Sequence, residues 1–423
     1  MSAQKPMLGI ARWAHEGLMP WVTGPEAVNT VANFQRACGL RPDGTASNKF
    51  LYYYFKISSA AGEEIYSLMP LLFWVSFPVG LSFLTNFLVL QLAGQLTKEF
   101  FMLPRPRTAD YPACKNPIVK LDRSYDTEYG LPSTHTIAGM LPTVVMLILQ
   151  RHGVPVEPQA WVGGAVYFLS VALSRLYLGV HSVYDLLAGA LLGVSGILFL
   201  HLCGDSIDVV LYQHETYAVP LQALCLFLFL FAYPRRGPWS VSWGTSAQIM
   251  GPFVGLAGAM WYMFNVDRGL LDVLLQASLI APRPHLLHTH SEPLSLASPM
   301  SFVSYCVQVE PGTHWRNDGP ASFWSLSWQT VALRLLVSFA LMGLTKVLSK
   351  ALPNMLLCWA SQRGLLASVP KQQECDCFGN IVPIHKRYSV EVTTRMINYA
   401  FSGVVCVAVC PVVWLLLPQL PSA

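Results

Sequence analysis

Long apolar blocks separated by polar stretches run along this chain. A bilayer core is crossed by about 20 mostly apolar residues in a helix, so the blocks predict membrane helices near residues 79–97, 135–150, 160–177, 183–202, 217–233, 247–265, 329–348 and 397–417. A further block, 50–77, carries Lys56, Glu63 and Glu64 in its first half, where a lipid-facing span would avoid charge. It is either a span or an interfacial helix followed by a re-entrant one. Residues 1–49 are polar and punctuated by Gly and Pro, and read as a tail with room for one surface helix. Three connections, 98–134, 266–328 and 349–396, are too long to be turns. The pattern predicts an all-α, polytopic membrane helix bundle.

Composition agrees with that pattern and narrows the function. The chain has 423 residues, 53% of them hydrophobic and only 12% charged, against roughly 25% charged in an ordinary soluble domain. Disorder is excluded by the apolar content, and a disulfide scaffold by the spread of ten Cys over the whole length. A formal charge of +4 is too small and too dispersed for nucleic acid. The first twenty residues are broken by Lys5, Arg12, His15, Glu16 and Pro20, so the first span is expected to do the targeting.

Candidate chemistry falls in three places. Lys98 and Arg105-Pro106 close one apolar block and put two cations at one membrane surface, where such residues usually snorkel to headgroups. Pro132-Ser133-Thr134-His135 opens the next block; a hydroxyl and free backbone N–H groups at a helix start form an anion pocket, although Ser is also a favoured plain cap. Ser174-Arg175 and then His181 and Asp185 join two further blocks. On a helix His181 and Asp185, four apart, share a face, so the carboxylate can hold one imidazole nitrogen and leave the other free.

In order, the pieces read Lys-x6-Arg-Pro, Pro-Ser-x-His and Ser-Arg-x5-His-x3-Asp. This resembles the type 2 phosphatidic acid phosphatase (PAP2) superfamily, which includes glucose-6-phosphatase and vanadium haloperoxidases. Thr134 stands where the common lipid phosphatases have Gly, and Glu128-Tyr-Gly-Leu-Pro-Ser-Thr-His, Ser174-Arg-Leu-Tyr-Leu-Gly-Val-His-Ser and Leu51-Tyr-Tyr are similar to the sphingosine-1-phosphate phosphatase branch. The resemblance is dense from about 50 to 205. It implies a PAP2-like catalytic core over 50–205, with 206–423 an additional transmembrane region carrying inserts at 266–328 and 349–396.

Resemblance and residue chemistry imply the same roles. Lys98, Arg105 and Arg175 hold the non-bridging phosphate oxygens, helped by Ser133 and backbone N–H groups near Thr134. His181, oriented by Asp185, attacks phosphorus and forms a phosphohistidine. His135 protonates the leaving alcohol and then activates water. No metal or cofactor is expected. The implied partners are the membrane and a long-chain base phosphate substrate; phosphatidate, isoprenyl diphosphate or sugar phosphate is the alternative, and a transporter or scaffold that inherited the fold would predict a broken triad.

Other features point less clearly to chemistry. His285, His288 and His290 lie in a Ser/Pro-rich insert where His is usually solvated, and Cys375 and Cys377 lack zinc spacing. Trp161, Trp239, Trp243 and Trp414 at block ends fit interfacial anchors. Asp110, Asp126 and Glu128 near the site either orient its cations or face water. Connectivity puts 98–134, 174–182 and 349–396 on one side, and the six Lys/Arg of the last loop would make that side cytoplasmic. The resemblance implies an endoplasmic reticulum protein whose site faces the lumen, and that expectation is followed here.

Overall fold

The computed structural model describes residues 9–64, 77–106, 117–122, 128–151, 156–233, 241–267, 269–270, 328–363, 388–405, 409–410 and 413. Within them the protein is all-α; the extended pairing among the described residues is an isolated bridge between Leu40 and Ala46. In chain order the helices are α1 Gly9–Thr23, α2 Pro25–Ala37, α3 Lys49–Glu64, α4 Phe77–Phe101, α5 Thr134–Gly139, α6 Leu141–Arg151, α7 Pro158–Tyr177 and α8 Val183–Asp208. They continue with α9 Ala218–Phe227, α10 Val241–Asn265, α11 Trp328–Gln362 and α12 Tyr388–Val404; single π-helical turns, Val209–Gln213 and Leu228–Ala232, extend α8 and α9.

Among the described residues three stretches, Val79–Phe101, Pro158–Tyr177 and Val183–Gly204, are long and apolar enough to cross a bilayer. They coincide with three of the expected blocks. On α8, Leu187, Leu191, Val194, Leu198 and Leu202 are all exposed and recur at three- and four-residue spacing. Such a stripe is out of place in water and is what a helix presents to lipid. The protein is a multi-pass membrane helix bundle.

The remaining blocks differ in detail from the expectation. Block 135–150 is broken into α5 and α6, because Pro142 has no N–H to continue the ladder and the Met140 N–H closes a tighter turn on Ile137 O at 3.0 Å. Block 217–233 gives the short apolar stretch Ala218–Ala232, and block 329–348 lies inside the 35-residue α11. The expected 349–396 loop is correspondingly shorter, since α11 runs to Gln362 and α12 begins at Tyr388. Of block 50–77, residues 50–64 belong to α3; residues 65–76, the His285–His290 cluster, Cys375, Cys377, Trp239 and Trp414 lie outside the described residues.

The main core joins α4, the α5–α6 pair and α10 through Leu81, Phe83, Leu88, Ile137, Leu141, Val144, Leu256 and Met260. Helix α10 crosses α12 so closely that a Cβ on Gly255 would stand 2.0 Å from Ala400 O. Small residues at that crossing let the backbones meet, as is usual for helices in lipid. Trp243, expected as an interfacial anchor, is instead buried beside Tyr233, with ring centroids 6.1 Å apart.

The N-terminal segment is structured, with two helices rather than one at most. On α1, Val22 packs with Leu103 and Leu131, and the His15 Nδ1–H donates to Phe101 O at 2.7 Å, satisfying a carbonyl at the end of α4. On α2, Val31 packs against Leu176 and Leu186. The Gln35 amide donates to Val119 O at 2.7 Å and Tyr177 O at 2.8 Å and accepts from Val119 N–H at 2.9 Å. Both helices thereby brace the end of the bundle where α4 and α7 finish and α5 and α8 begin.

Candidate functional site

The segment 174–185 is a helix stop followed by a helix start. Gly179, at φ +71°, ends α7: its N–H bonds to Leu176 O at 3.0 Å, and the Val180 N–H bonds to Arg175 O at 3.2 Å. This is a Schellman termination, which places a left-handed residue just past the helix and satisfies its last carbonyls. A side chain at 179 would meet Val119 O at 2.4 Å, so only Gly fits. Three residues on, the Ser182 Oγ accepts from Asp185 N–H at 3.2 Å while the Asp185 carboxylate accepts from Ser182 N–H at 2.7 Å. That reciprocal pair is a capping box opening α8.

His181 is held between the two signals. It precedes α8, so it does not share a helix face with Asp185 as the four-residue spacing suggested. The capping box turns the carboxylate back instead, leaving Asp185 Oδ2 3.4 Å from His181 Nδ1. On the other side of the ring, Arg105 Nη1 lies 3.0 Å from Nε2. A guanidinium only donates, so Nε2 carries the lone pair and Nδ1 the proton. The arrangement therefore defines which nitrogen can act as a nucleophile.

The other two pieces close around this imidazole. Lys98, near the end of α4, is fully buried rather than snorkelling outward, and its Nζ lies 2.5 Å from Glu128 Oε1 and 3.4 Å from Thr134 Oγ1. After Met102 the chain leaves the helix and delivers Arg105, which donates from Nε to Glu128 O at 3.1 Å, from Nη2 to Glu128 Oε2 at 2.9 Å and from Nη1 to Val180 O at 2.7 Å. Ser133 is the N-cap of α5; its Oγ accepts from Thr136 N–H at 3.4 Å, and its own N–H donates to Asp185 O at 3.0 Å. Helices α5 and α8 approach closely here, since a Cβ on Gly189 would stand 2.6 Å from Ser133 O.

Arg175 is buried at the end of α7 and donates from Nη1 to Ser59 Oγ on α3 at 2.5 Å. His135 starts α5 beside α3, where a Cβ on Gly62 would lie 3.7 Å from its ring. All eight residues singled out in the sequence (Lys98, Arg105, Ser133, Thr134, His135, Arg175, His181 and Asp185) thus gather at one end of the bundle.

Two further residues join them. Glu128, left open between orienting the cations and facing water, is buried and bridges Lys98 and Arg105; Asp110 and Asp126 lie outside the described residues. Ser59 carries no sequence signal, because its partner is 116 residues away. Glu128 has a weak one: an acidic residue a few positions before the Pro-Ser-x-His piece.

Electrostatics follow from this packing. Burial alone would raise the Glu128 carboxyl, but Lys98 and Arg105 against it reverse that and hold it down at about 2. Burial first, and then the charges of Arg105, Arg175 and Lys98, keep His181 well below its ordinary 6.5. The imidazole is therefore neutral at pH 7, surrounded by cations suited to an anionic group. Among the described residues no three His, Cys, Asp or Glu side chains gather as a metal centre would require.

Comparison with known proteins matches the same stretch of chain. Residues 79–207, from α4 through α8, match the PAP2 superfamily. Over 247 residues the chain is 30% identical to sphingosine-1-phosphate phosphatase 2 of Mus musculus, covering 55% of this chain and 66% of that protein. It is 28% identical over 248 residues to sphingosine-1-phosphate phosphatase 1 of Rattus norvegicus, covering 56% and 54%. It is 30% identical over 265 residues to a probable sphingosine-1-phosphate phosphatase of Dictyostelium discoideum, covering 57% and 63%. The matches span between about half and two thirds of these relatives' length. Residues 79–207 are similar to the PAP2 superfamily, and the chain resembles the sphingosine-1-phosphate phosphatases. No solved structure matches the chain.

Two expectations follow. Gly179→Ala forces a left-handed φ on a residue with a Cβ against Val119 O, so it should cost about 1–3 kcal/mol or more, seen as a lowered thermal midpoint in detergent. Gly163→Ala, where a Cβ meets nothing within 4 Å, should leave the midpoint in place; equal shifts would contradict the Schellman assignment.

The second concerns His181. Its folded pKa lies below the unfolded 6.5, so in that interval the unfolded chain binds the proton more readily. Its contribution to stability is intact above pH 6.5 and is lost as pH falls below. Nitrogen-15 NMR of the labelled protein at pH 6 should show His181 neutral with the proton on Nδ1; an imidazole titrating at its ordinary value would contradict the assignment.

Proposed function

We propose that this protein is a membrane phosphatase that hydrolyses sphingosine-1-phosphate or a related long-chain base phosphate through a phosphohistidine. The observation that carries this is the His181 imidazole, whose Nε2 lone pair faces the Arg105 guanidinium while its Nδ1 is backed by Asp185. The likeness to sphingosine-1-phosphate phosphatases adds the lipid phosphate class. In this reading Lys98, Arg105 and Arg175 take the phosphate oxygens, with Ser133 and N–H groups near Thr134. Nε2 of His181 attacks phosphorus in line, the bond to the ester oxygen breaks, and that oxygen takes a proton from His135. The same His135 then removes a proton from the water that releases inorganic phosphate. The cations and imidazolium supply the charge stabilisation, so no metal is needed for any step.

The catalytic unit is residues 50–205, and 206–423 is an additional transmembrane region. The protein resides in the endoplasmic reticulum membrane with His135 and His181 open to the lumen. This orientation sets the family likeness above the charge of the distal loop, because the positive-inside rule weakens far from the first span.

Purified protein should release phosphate from sphingosine-1-phosphate in the presence of a chelator and be inhibited by vanadate; activity that appears only with added Mg²⁺ would refute the metal-independent reading. With a labelled aryl phosphate and rapid quench, His181→Ala should lose turnover and phosphoenzyme together. His135→Ala should lose turnover but retain some phosphoenzyme, since an activated leaving group departs without a proton. Label recovered on His181→Ala protein would reverse the assignment.

For sidedness, a glycosylation sequon engineered into 107–125 should be modified in microsomes. Modification of one placed in 151–159 instead would invert the topology.

A further inference from the structure

We infer that Glu128 is a resident counter-anion that competes with the substrate's phosphate group for Lys98 and Arg105, so that an anion must displace its carboxylate to occupy the site. The inference rests on the phosphatase reading above and deepens it. Each oxygen of the Glu128 carboxylate is taken by a different cation, Oε1 by Lys98 at 2.5 Å and Oε2 by Arg105 Nη2 at 2.9 Å. Those are the two cations that a phosphate must engage if His181, 3.0 Å from Arg105 Nη1, is to reach phosphorus. All four side chains are buried, so phosphate and carboxylate cannot share the cations with water between them.

Orientation alone does not account for Glu128. The plane of Arg105 is already set by two backbone carbonyls, Glu128 O at 3.1 Å and Val180 O at 2.7 Å. These bonds can persist while the carboxylate is exchanged for a phosphate, so the guanidinium stays aimed throughout. The charge of the carboxylate matters for a different reason. Two buried cations without a counter-ion are costly, and a carboxylate held beside a bound phosphate would repel it.

Exchange therefore has an electrostatic threshold. A monoester dianion brings two negative charges in place of one and gains. A diester monoanion replaces one charge with one and still has to rehouse the carboxylate. Removing the charge of Glu128 removes this threshold for either anion, so both gain affinity while the preference between them, set by their own charges, is kept. The low pKa of Glu128 fits this, since the competitor is ionised at every working pH.

The test uses the purified full chain in detergent. Competitive inhibition of sphingosine-1-phosphate hydrolysis is measured with tungstate, a dianion, and diethyl phosphate, a monoanionic diester, in wild type, Glu128→Gln and Glu128→Asp. Where turnover is too slow, stabilisation against heat by the same two anions replaces the inhibition constants. In Glu128→Gln both anions should bind more tightly, each by roughly tenfold, with the preference for tungstate over diethyl phosphate little changed. Glu128→Asp, too short to reach both cations, should shift the same way by less, and it decides the matter if the Gln variant does not fold. Unchanged or weaker binding of both anions in the folded variants, with kcat reduced, would overturn the inference and leave Glu128 as a fixed positioning residue. A wild-type protein that hydrolyses no phosphomonoester and binds neither anion would instead refute the phosphatase reading itself.

Discussion

Burying Lys98, Arg105 and Arg175 at the end of a helical bundle is the constraint on which the site depends. Each cation loses water that only specific partners can replace, and removing one partner of such a pair typically costs about 3–5 kcal/mol. Lys98 and Arg105 find Glu128, and Arg105 also finds two carbonyls. Arg175 finds Ser59. The arrangement is costly as a source of stability but is what an anion-binding pocket requires, because the cations are aimed before the anion arrives.

Local helix-end chemistry does much of the positioning. Arg175 is set by the last turn of α7, Asp185 by the first turn of α8, and His181 by the short link between a Schellman stop and a capping box. The intervals between these residues are therefore structural as well as chemical. One extra residue between Gly179 and Ser182 would move the imidazole relative to Arg105 and Asp185. The same principle operates at Ser133, whose capping of α5 and backbone bond to Asp185 O tie the second piece to the third.

The N-terminal helices add a support that the clustered residues cannot provide for themselves. Gln35 ties residue 119 to the end of α7, His15 satisfies the last turn of α4, and α3 brings Ser59 to Arg175. On its outer face α3 leaves Phe50, Tyr53 and Ile57 exposed. Aromatic and branched side chains of that kind suit the boundary between lipid and water, so the helix that braces the site also belongs at the membrane surface.

The apolar blocks determined the helical class and the membrane setting, because twenty residues without charge leave few alternatives and that information is local. That Lys98, Arg105, His135, Arg175, His181 and Asp185 would gather was legible for a related reason: ionisable groups are so costly beside a membrane helix that they need one another or a common purpose. Tertiary structure decided the rest. Whether Glu128 faced water or the cations depended on a contact with Lys98, 30 residues away. Ser59 and Gln35 gained their roles from partners 116 and 142 residues distant, and Trp243 became core because Tyr233 and α12 covered it. The spacing of His181 and Asp185 was readable, but the contact between them came from a cap and not from a shared helix face. Local patterns state what each segment needs to bury or solvate, and only packing states which distant group meets that need.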